Sequence, residues 1–260
     1  MKRYFFAIIV FLIIFSVLTL SSDAQEPQNA VDYYNQGKAK VESKYYKGAI
    51  EDYNQAIKLD TKYAEAYYAR GDAKSDLEDY AGAMADYNQG IKLNPKDANA
   101  YAGRGSIKKS LKDYKGAIED CTQAIKLDPN NVNAYLMRGT AKTKSNDYDG
   151  AMADLAQALK IDPNNVNAYL ARADAKFNLK KDYAGAIEDS TKAIKIDPNN
   201  AGAYMFRAMS RMNVNDTDGA IADFTKIIEI DPKTAVMAYF MRGMFKMVSE
   251  DTDGAIADFT

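Results

Sequence analysis

The stretch Asp113-Tyr-Lys-Gly-Ala-Ile-Glu-Asp-Cys-Thr-Gln-Ala-Ile-Lys-Leu-Asp-Pro129 sets the frame for the whole chain. Nearly the same phrase recurs from one end to the other. Its Gly116 has counterparts at Gly48, Gly82, Gly150, Gly185, Gly219 and Gly254, separated by steps of 34, 34, 34, 35, 34 and 35 residues. A fixed period of this size marks an array of stacked units. Within the phrase, Ala117, Ile118, Cys121, Ala124, Ile125 and Leu127 are apolar, mostly at spacings of three and four. That pattern predicts an amphipathic helix. Asp113 suits its N-cap, where a carboxylate accepts free N–H groups of the first turn. Pro129 ends the helix, because the residue before a proline is pushed out of the α region. Asn130-Asn131 then suits a turn and the next N-cap.

The first half of each unit reads as a second helix. A small residue recurs in it at Gly37, Gly71, Gly105, Gly139, Ala173, Ala208 and Gly243. Glycine inside a helix costs up to about 1 kcal/mol, which a close approach of two helices justifies. The expected partner is the recurring alanine at Ala49, Ala83, Ala117, Ala151, Ala186, Ala220 and Ala255. A tyrosine precedes the small residue at Tyr33, Tyr67, Tyr101, Tyr135, Tyr169, Tyr204 and Tyr239, and Pro95, Pro129, Pro163, Pro198 and Pro232 close the units. With these positions in phase, the chain resembles the tetratricopeptide repeat family over roughly Ala30 to Thr260. Arg stands where the family has Leu before the glycine, and Lys or Arg where it has the later Tyr. The resemblance implies an all-α fold, a right-handed α-solenoid of stacked helix-turn-helix repeats.

Six full repeats are expected at 30–63, 64–97, 98–131, 132–165, 166–200 and 201–234, with a shorter seventh at 235–260. The fifth carries one extra residue near Lys180-Lys181, expected in the inter-helix turn, and the seventh gains one before Tyr239. The seventh lacks the part that follows Asp223-Phe224-Thr225 in the sixth, so a longer protein is expected. Residues 1–24 have the grammar of a secretory signal peptide: Lys2-Arg3, an apolar run over Tyr4–Leu20, then small residues up to Ala24. An uncleaved anchor through residues 4–20 is the alternative, since the run is at the short end of a bilayer span. Gln25–Asn29 is a short polar lead. The expected location is exported, periplasmic or secreted.

Of eight arginines, six directly precede the recurring small residue: Arg70, Arg104, Arg138, Arg172, Arg207 and Arg242. An aspartate recurs in every second helix at Asp52, Asp86, Asp120, Asp154, Asp189, Asp223 and Asp258. Lysine never replaces arginine here, which suggests a geometry that needs the planar guanidinium fork. The first unit has Gln36 in place of Arg yet keeps Asp52, so a ladder is expected in which each arginine meets the aspartate of the preceding unit. Solvated surface charge is the alternative. Lys40, Lys74, Lys108, Lys142, Lys176, Arg211 and Lys246 follow one turn later and read as a solvated basic stripe.

In the resembled family the first helices line a concave face that holds peptides or partner helices. The implied function is an exported protein-interaction scaffold, with a non-catalytic region of a longer exported protein whose activity lies beyond Thr260, or a self-assembling structural array, as the alternatives. Candidate partner-binding residues in the early units are Tyr34, Lys38, Tyr68 and Asp72. In the late units they are Phe177, Met205, Phe206, Met209, Met212, Phe240, Met241, Met244 and Met247. Seven of eleven methionines lie between Met205 and Met247. Flexible, polarizable methionine suits an apolar groove, but a stripe at helical spacing also suits a core or packing beneath further helices. The Lys and Asn clamp of the family's chaperone-tail binders is not reproduced, since Tyr34 and Lys38 occupy those positions. Self-association through an uncapped C-terminal end is a further expectation, because solenoids need a polar cap.

The net charge is −2, without the basic patch a nucleic-acid partner requires. The chain has no His and one Cys, so no disulfide, zinc cluster or histidine-based nucleophile is expected. Cys121 replaces the tyrosine of Tyr53 and Tyr87 and is expected to be buried and inert. No phosphate-binding glycine loop is present. Asp216-Thr217-Asp218-Gly219 and its echo at Asp251–Gly254 match a calcium loop poorly and read as helix caps. No enzyme activity, cofactor, metal or second membrane segment is expected.

Overall fold

The computed structural model describes residues 29–233 and 235–260. The leader read from residues 1–24, and the lead except for Asn29, lie outside them. The described residues form fourteen α-helices, two per repeat. They are α1 (Ala30–Glu42), α2 (Tyr46–Leu59), α3 (Ala64–Asp76), α4 (Tyr80–Leu93), α5 (Ala98–Ser110), α6 (Tyr114–Leu127) and α7 (Val132–Lys144). The series continues with α8 (Tyr148–Ile161), α9 (Val166–Ala175), α10 (Tyr183–Ile196), α11 (Ala201–Met212), α12 (Thr217–Ile230), α13 (Val236–Val248) and α14 (Thr252–Phe259). The helices fall into two compact units. Unit 1 ends at Leu93 and holds α1–α4; unit 2, Asn94–Thr260, holds α5–α14. Each unit is a row of antiparallel helical hairpins.

The caps form as the sequence predicts. Asp113 Oδ1 accepts from the Gly116 N–H at 2.9 Å, and Asp147, Asp182, Asp216 and Asp251 do the same at α8, α10, α12 and α14. The caps also explain the glycine that keeps the period. A Cβ on Gly116 would lie 2.2 Å from Asp113 Oδ2, so a side chain there would displace the capping carboxylate. In the first repeat Tyr45 takes the Asp position, and its ring fills the space over Gly48. The first helices open on Asn131, Asn165 and Asn200, whose side chains accept from Ala134, Ala168 and Ala203 N–H.

The residue before each capping position adopts a left-handed conformation. Lys44, Glu78, Lys112, Asn146, Lys181, Asn215 and Glu250 have φ of 56–63°. This reverses the chain between paired helices, as a C′ residue does at the end of a helix. The extra residue of the fifth repeat is absorbed differently from expectation. It is wound into a π-helical turn, Lys176–Lys180, that continues α9. The Asp182 N–H consequently bonds Lys176 O, six residues back, where Asp113 bonds Lys108 O, five back. A wider turn takes up one residue without breaking the ladder.

The small residue of each first helix faces the second helix of its own hairpin. A Cβ on Gly139 would lie 3.3 Å from Ala151 O, and 2.8 Å from Leu155 Cγ. The recurring alanine therefore contributes its backbone, and a different residue closes the gap with its side chain. That residue is Tyr53, Tyr87, Cys121, Leu155 or Phe259 according to the repeat. Cys121 is fully buried against Gly105, and burial pushes its thiol up to about 12. In unit 2, Tyr204, Ala208, Phe224, Ile227 and Ile228 form one core cluster, with Phe224 and Phe245 stacked at 6.3 Å.

The recurring charges meet inside each hairpin. Arg138 donates from Nε to Asp154 Oδ2 at 2.9 Å and from Nη2 to Oδ1 at 2.6 Å. Arg70, Arg104, Arg172, Arg207 and Arg242 fork their partners Asp86, Asp120, Asp189, Asp223 and Asp258 likewise. The aspartate thus belongs to the arginine's own repeat, which corrects the expected ladder. The arginine does reach the preceding repeat through Nη1, to a neutral acceptor: Asn54 for Arg70, Thr122 for Arg138, Thr191 for Arg207 and Thr225 for Arg242. Its guanidinium also stacks on the recurring tyrosine, 5.7 Å from the Tyr135 centroid for Arg138. A carboxylate fork and a planar face on the tyrosine are needed together, so lysine does not substitute.

The expected solvated basic stripe is overturned as well. Lys142 Nζ lies 2.8 Å from Asp154 Oδ2 and donates to Gly150 O at 3.3 Å. Lys40, Lys74, Lys108, Lys176, Arg211 and Lys246 pair with the aspartates of their own repeats in the same way. Each buried aspartate is held by two cations wherever arginine is present. In the first repeat Gln36 leaves Asp52 with Lys40 alone, at 2.7 Å. That ion pair lacks hydrogen-bond angles, and among the described residues no hydrogen bond reaches Asp52 Oδ2.

Three outcomes follow. Asp189 is fully buried between Arg172 and Lys176, so Asp189→Asn leaves two cations facing each other and costs about 3–5 kcal/mol. Lys176→Met leaves the Arg172 fork intact and costs roughly 1 kcal/mol. Urea unfolding followed by amide exchange in α9 and α10 checks the order, and equal losses would refute the shared-carboxylate account. Lys112→Gly relieves the left-handed strain of about 1–2 kcal/mol against a smaller entropic loss, and raises stability by about 0.5–1 kcal/mol. Finally, Cys121 stays unreactive toward a disulfide reagent at pH 8 until the protein is unfolded; rapid labelling of the native chain would contradict its burial.

Candidate functional site

The packing and the ion pairs occupy one side of every first helix. The opposite side carries the residues proposed above for partner binding, some exposed, as Lys38, Met209 and Phe240 are, and some turned toward the core, as Met205, Met212 and Met241 are. Their chemistry changes from repeat to repeat while the framework beneath them recurs. At two positions one turn apart, the chain reads Tyr34 and Lys38, Tyr68 and Asp72, Ala102 and Ser106, then Leu136 and Thr140. It continues with Leu170 and Asp174, Met205 and Met209, and finally Phe240 and Met244.

In unit 1 this side is walled by tyrosine. The Tyr34 ring lies 5.9 Å from Tyr53 and 5.2 Å from Tyr63, and Tyr68 stacks on Tyr87 at 5.7 Å. Tyr68 can lie flat because Gly90 of α4 has no Cβ, which would stand 2.2 Å from the ring. Tyr87 donates its hydroxyl to Asp72 Oδ1 at 2.5 Å. Lys38 Nζ stands 5.8 Å from the Tyr34 centroid. Tyr34, Lys38, Tyr68 and Asp72 are therefore brought to one face. The sequence reading missed Tyr53, Tyr63 and Tyr87. The available signal was a hydroxyl-bearing tyrosine at a second-helix position that later repeats fill with Cys121, Leu155 or Phe224. Burial raises Tyr53, and Tyr34 is raised by burial and then by Glu65 and Asp72.

In unit 2 the corresponding side begins with the buried Ala102 and Leu136, and polar contacts stand beside them. Asn131 Nδ2 donates to Asn99 Oδ1 at 2.8 Å, and Lys144 pairs with Asp174 at 3.0 Å. Lys109 Nζ points at Met137 Sδ, 3.6 Å away, and burial lowers its pKa. Phe177 is half-buried and meets Tyr183 edge-on at 5.2 Å. Among the described residues no group of three or more acids, cysteines or histidines is placed to hold a metal ion, and no helix is long and apolar enough to cross a membrane.

The methionine stripe divides. Met205, Met212 and Met241 pack against the core cluster around Phe224, so these three serve the interior. Met209, Phe240, Met244 and Met247 are exposed, and Phe206 is half-buried. At 3.6 residues per turn, Met209 is rotated about 40° from Met205 and about 60° from Met212, enough to leave it outside. Val236, Met237 and Val248 add to the exposed apolar surface of α13, and Ile256 and Phe259 to that of α14. Val236, Tyr239, Phe240 and Ala257–Thr260 line an open groove between these helices.

Family models described as tetratricopeptide repeat match residues 98–131, 121–153, 166–200 and 201–234, and one described as TPR repeat matches 33–77, 71–112 and 139–180. No curated protein matches the chain. Among solved structures, a tetratricopeptide repeat protein from Parabacteroides merdae ATCC 43184 is similar with a TM-score of 0.67 at 19% identity, over 90% of this chain and 91% of that one. The Cut9–Hcn1 hetero-tetramer of the APC/C gives 0.75 at 16% identity, over 85% of this chain and 44% of that chain. YrrB, described as a TPR protein with an unusual peptide-binding site, gives 0.51 at 23% identity, over 67% and 90%. Matched repeats covering most of the chain, paired helices at the expected period and likeness to these solved folds agree: the chain belongs to the tetratricopeptide repeat family.

Proposed function

We propose that this chain is an exported scaffold that binds a peptide or partner helix along the solvent-facing side of its first helices. One observation carries the reading. The framework positions repeat almost without change, whereas the paired first-helix positions on the other side vary along the chain: tyrosine with charge in unit 1, the buried Ala102 and Leu136 with Ser106 and Thr140 next, and the exposed Met209, Phe240 and Met244 in the last repeats. A surface that only needed to stay soluble would not require half-exposed tyrosines and methionines beside an otherwise uniform frame. The peptide-binding site named for YrrB supports the reading by analogy of fold. Export rests on Lys2-Arg3 and the apolar run that follows. N-terminal sequencing of the protein from its native host is expected to begin at Gln25, and a sequence that begins at Met1 would overturn processing.

The apolar surface of α13 and α14 favours a second reading, self-association through that end. Light scattering over rising concentration tests it. A constant monomer mass would remove it, and Phe240→Glu with Met247→Glu should abolish any dimer.

A displayed random-peptide library selected on the purified chain tests the main proposal. Selected peptides are expected to lose about tenfold or more in affinity with Lys38→Glu or Met209→Asp. Glu119→Lys, on the exposed side of α6, should leave them unchanged. No enrichment, or equal losses for the α6 variant, would overturn the proposal.

A further inference from the structure

The fold holds its own arginines in one repeated way. Each guanidinium carbon lies 5.4–5.7 Å from a tyrosine centroid while its fork rests on an aspartate. In unit 1 the set is Tyr67, Arg70 and Asp86, with Arg70 Nε 2.9 Å from Asp86 Oδ2. The exposed first-helix side of the same unit presents the same two components again, a carboxylate among tyrosine rings, without an arginine of its own. Asp72 stands one helical turn after Tyr68, positions that neighbour each other on a helix surface. The Tyr87 hydroxyl takes one lone-pair site on Oδ1, and an ionised carboxylate offers about four. Among the described residues the ion pairs of this unit, Lys40–Asp52, Arg70–Asp86 and Lys74–Asp86, do not include Asp72.

Solvent reaches Asp72, yet protein crowds it on most sides. That crowding raises its carboxyl above the ordinary range, the Tyr87 hydrogen bond opposes the rise, and Asp76 adds to it. Glu65 and Asp76 lie on α3 with Asp72 and add negative charge to this face, to which α1 contributes the cation Lys38. Lys38 already lies over the Tyr34 ring, so a ring on this face takes a cation.

We propose that the first-helix face of unit 1 binds an arginine side chain of a protein partner, held by the Asp72 carboxylate and stacked on the flanking rings of Tyr34 and Tyr68. This rests on the first-helix sides being the binding surface. Arginine fits better than lysine because its fork pairs with a carboxylate through two parallel bonds while its plane lies on an aromatic ring.

The test uses three end-blocked, fluorescein-labelled Gly-Ser peptides carrying paired arginines, citrullines or glutamates, titrated into the full chain by anisotropy. Citrulline keeps the shape of arginine and removes its charge. Arginine should bind about tenfold or more tighter than citrulline. That preference should fall to about threefold or less on Asp72→Asn, which keeps an acceptor for Tyr87, and persist on Glu51→Gln, an equal charge change on the exposed side of α2. Equal affinity for arginine and citrulline, a preference that survives Asp72→Asn, or tighter binding of the glutamate peptide would overturn the inference. If library-selected peptides bind with no dependence on Asp72, the scaffold reading stands and this one fails. If no peptide of any class binds, both fail. The comparison of arginine with citrulline on the unaltered chain needs no variant to fold.

Discussion

Each hairpin is built around a carboxylate enclosed between its two helices. Removing such a charge from water is expensive unless it is paired and hydrogen-bonded. Here the second helix supplies the aspartate; the first supplies, in every repeat but the first, an arginine, and in all of them, one turn later, a lysine or a second arginine. The arrangement fixes how far one helix slides along the other, because only one register brings both cations onto the same two oxygens. At Arg70, Arg138, Arg207 and Arg242 a third donor also reaches the repeat before it. A burial that is neutral or costly by itself thereby specifies geometry, a role attested for buried charged groups elsewhere.

The rest of the packing conforms to that register. Glycine or alanine lets the first helix approach its partner at backbone distance. The side chain that closes the gap varies in size and is accommodated locally. Tyr53 and Tyr87 use the space in unit 1, and their rings extend toward the exposed face. Cys121 and Leu155 end within the core. One packing position thus links interior to surface, and it decides that unit 1 has a tyrosine-walled face where the middle of unit 2 has none.

The same division of labour explains where variation is tolerated. Second helices are committed to the core, and the inner half of each first helix is committed to the ion pairs. What remains is the outer strip of first-helix positions, where Ala102 and Leu136 are still buried but no ion pair is required. Along it the chemistry passes from tyrosine and carboxylate in unit 1 to exposed methionine and phenylalanine at α13. Neighbouring residues on that strip need not share a fate: Met205 and Met212 turn inward while Met209, between them, stays outside.

The amino-acid order by itself determined the period, the two helices of every repeat, their caps and the membership of the family. Those features depend on contacts within a few residues, and Asp113 with Gly116 or Pro129 with its neighbours can be read directly. The partner of each arginine could not be read that way. Arg70 stands 16 residues before Asp86 and 18 after Asp52, so spacing leaves the choice open. Only the antiparallel return of the second helix brings Asp86 alongside. Gln36 with Asp52 pointed to the preceding repeat, because the lysine that retains Asp52 was read as solvated. The roles of Lys40 and its counterparts, the π-helical turn at Lys176–Lys180 and the Tyr87 contact with Asp72 likewise belong to the tertiary structure. Each depends on distances between elements that are remote in sequence, and a local pattern carries no information about how two helices rotate and slide against each other.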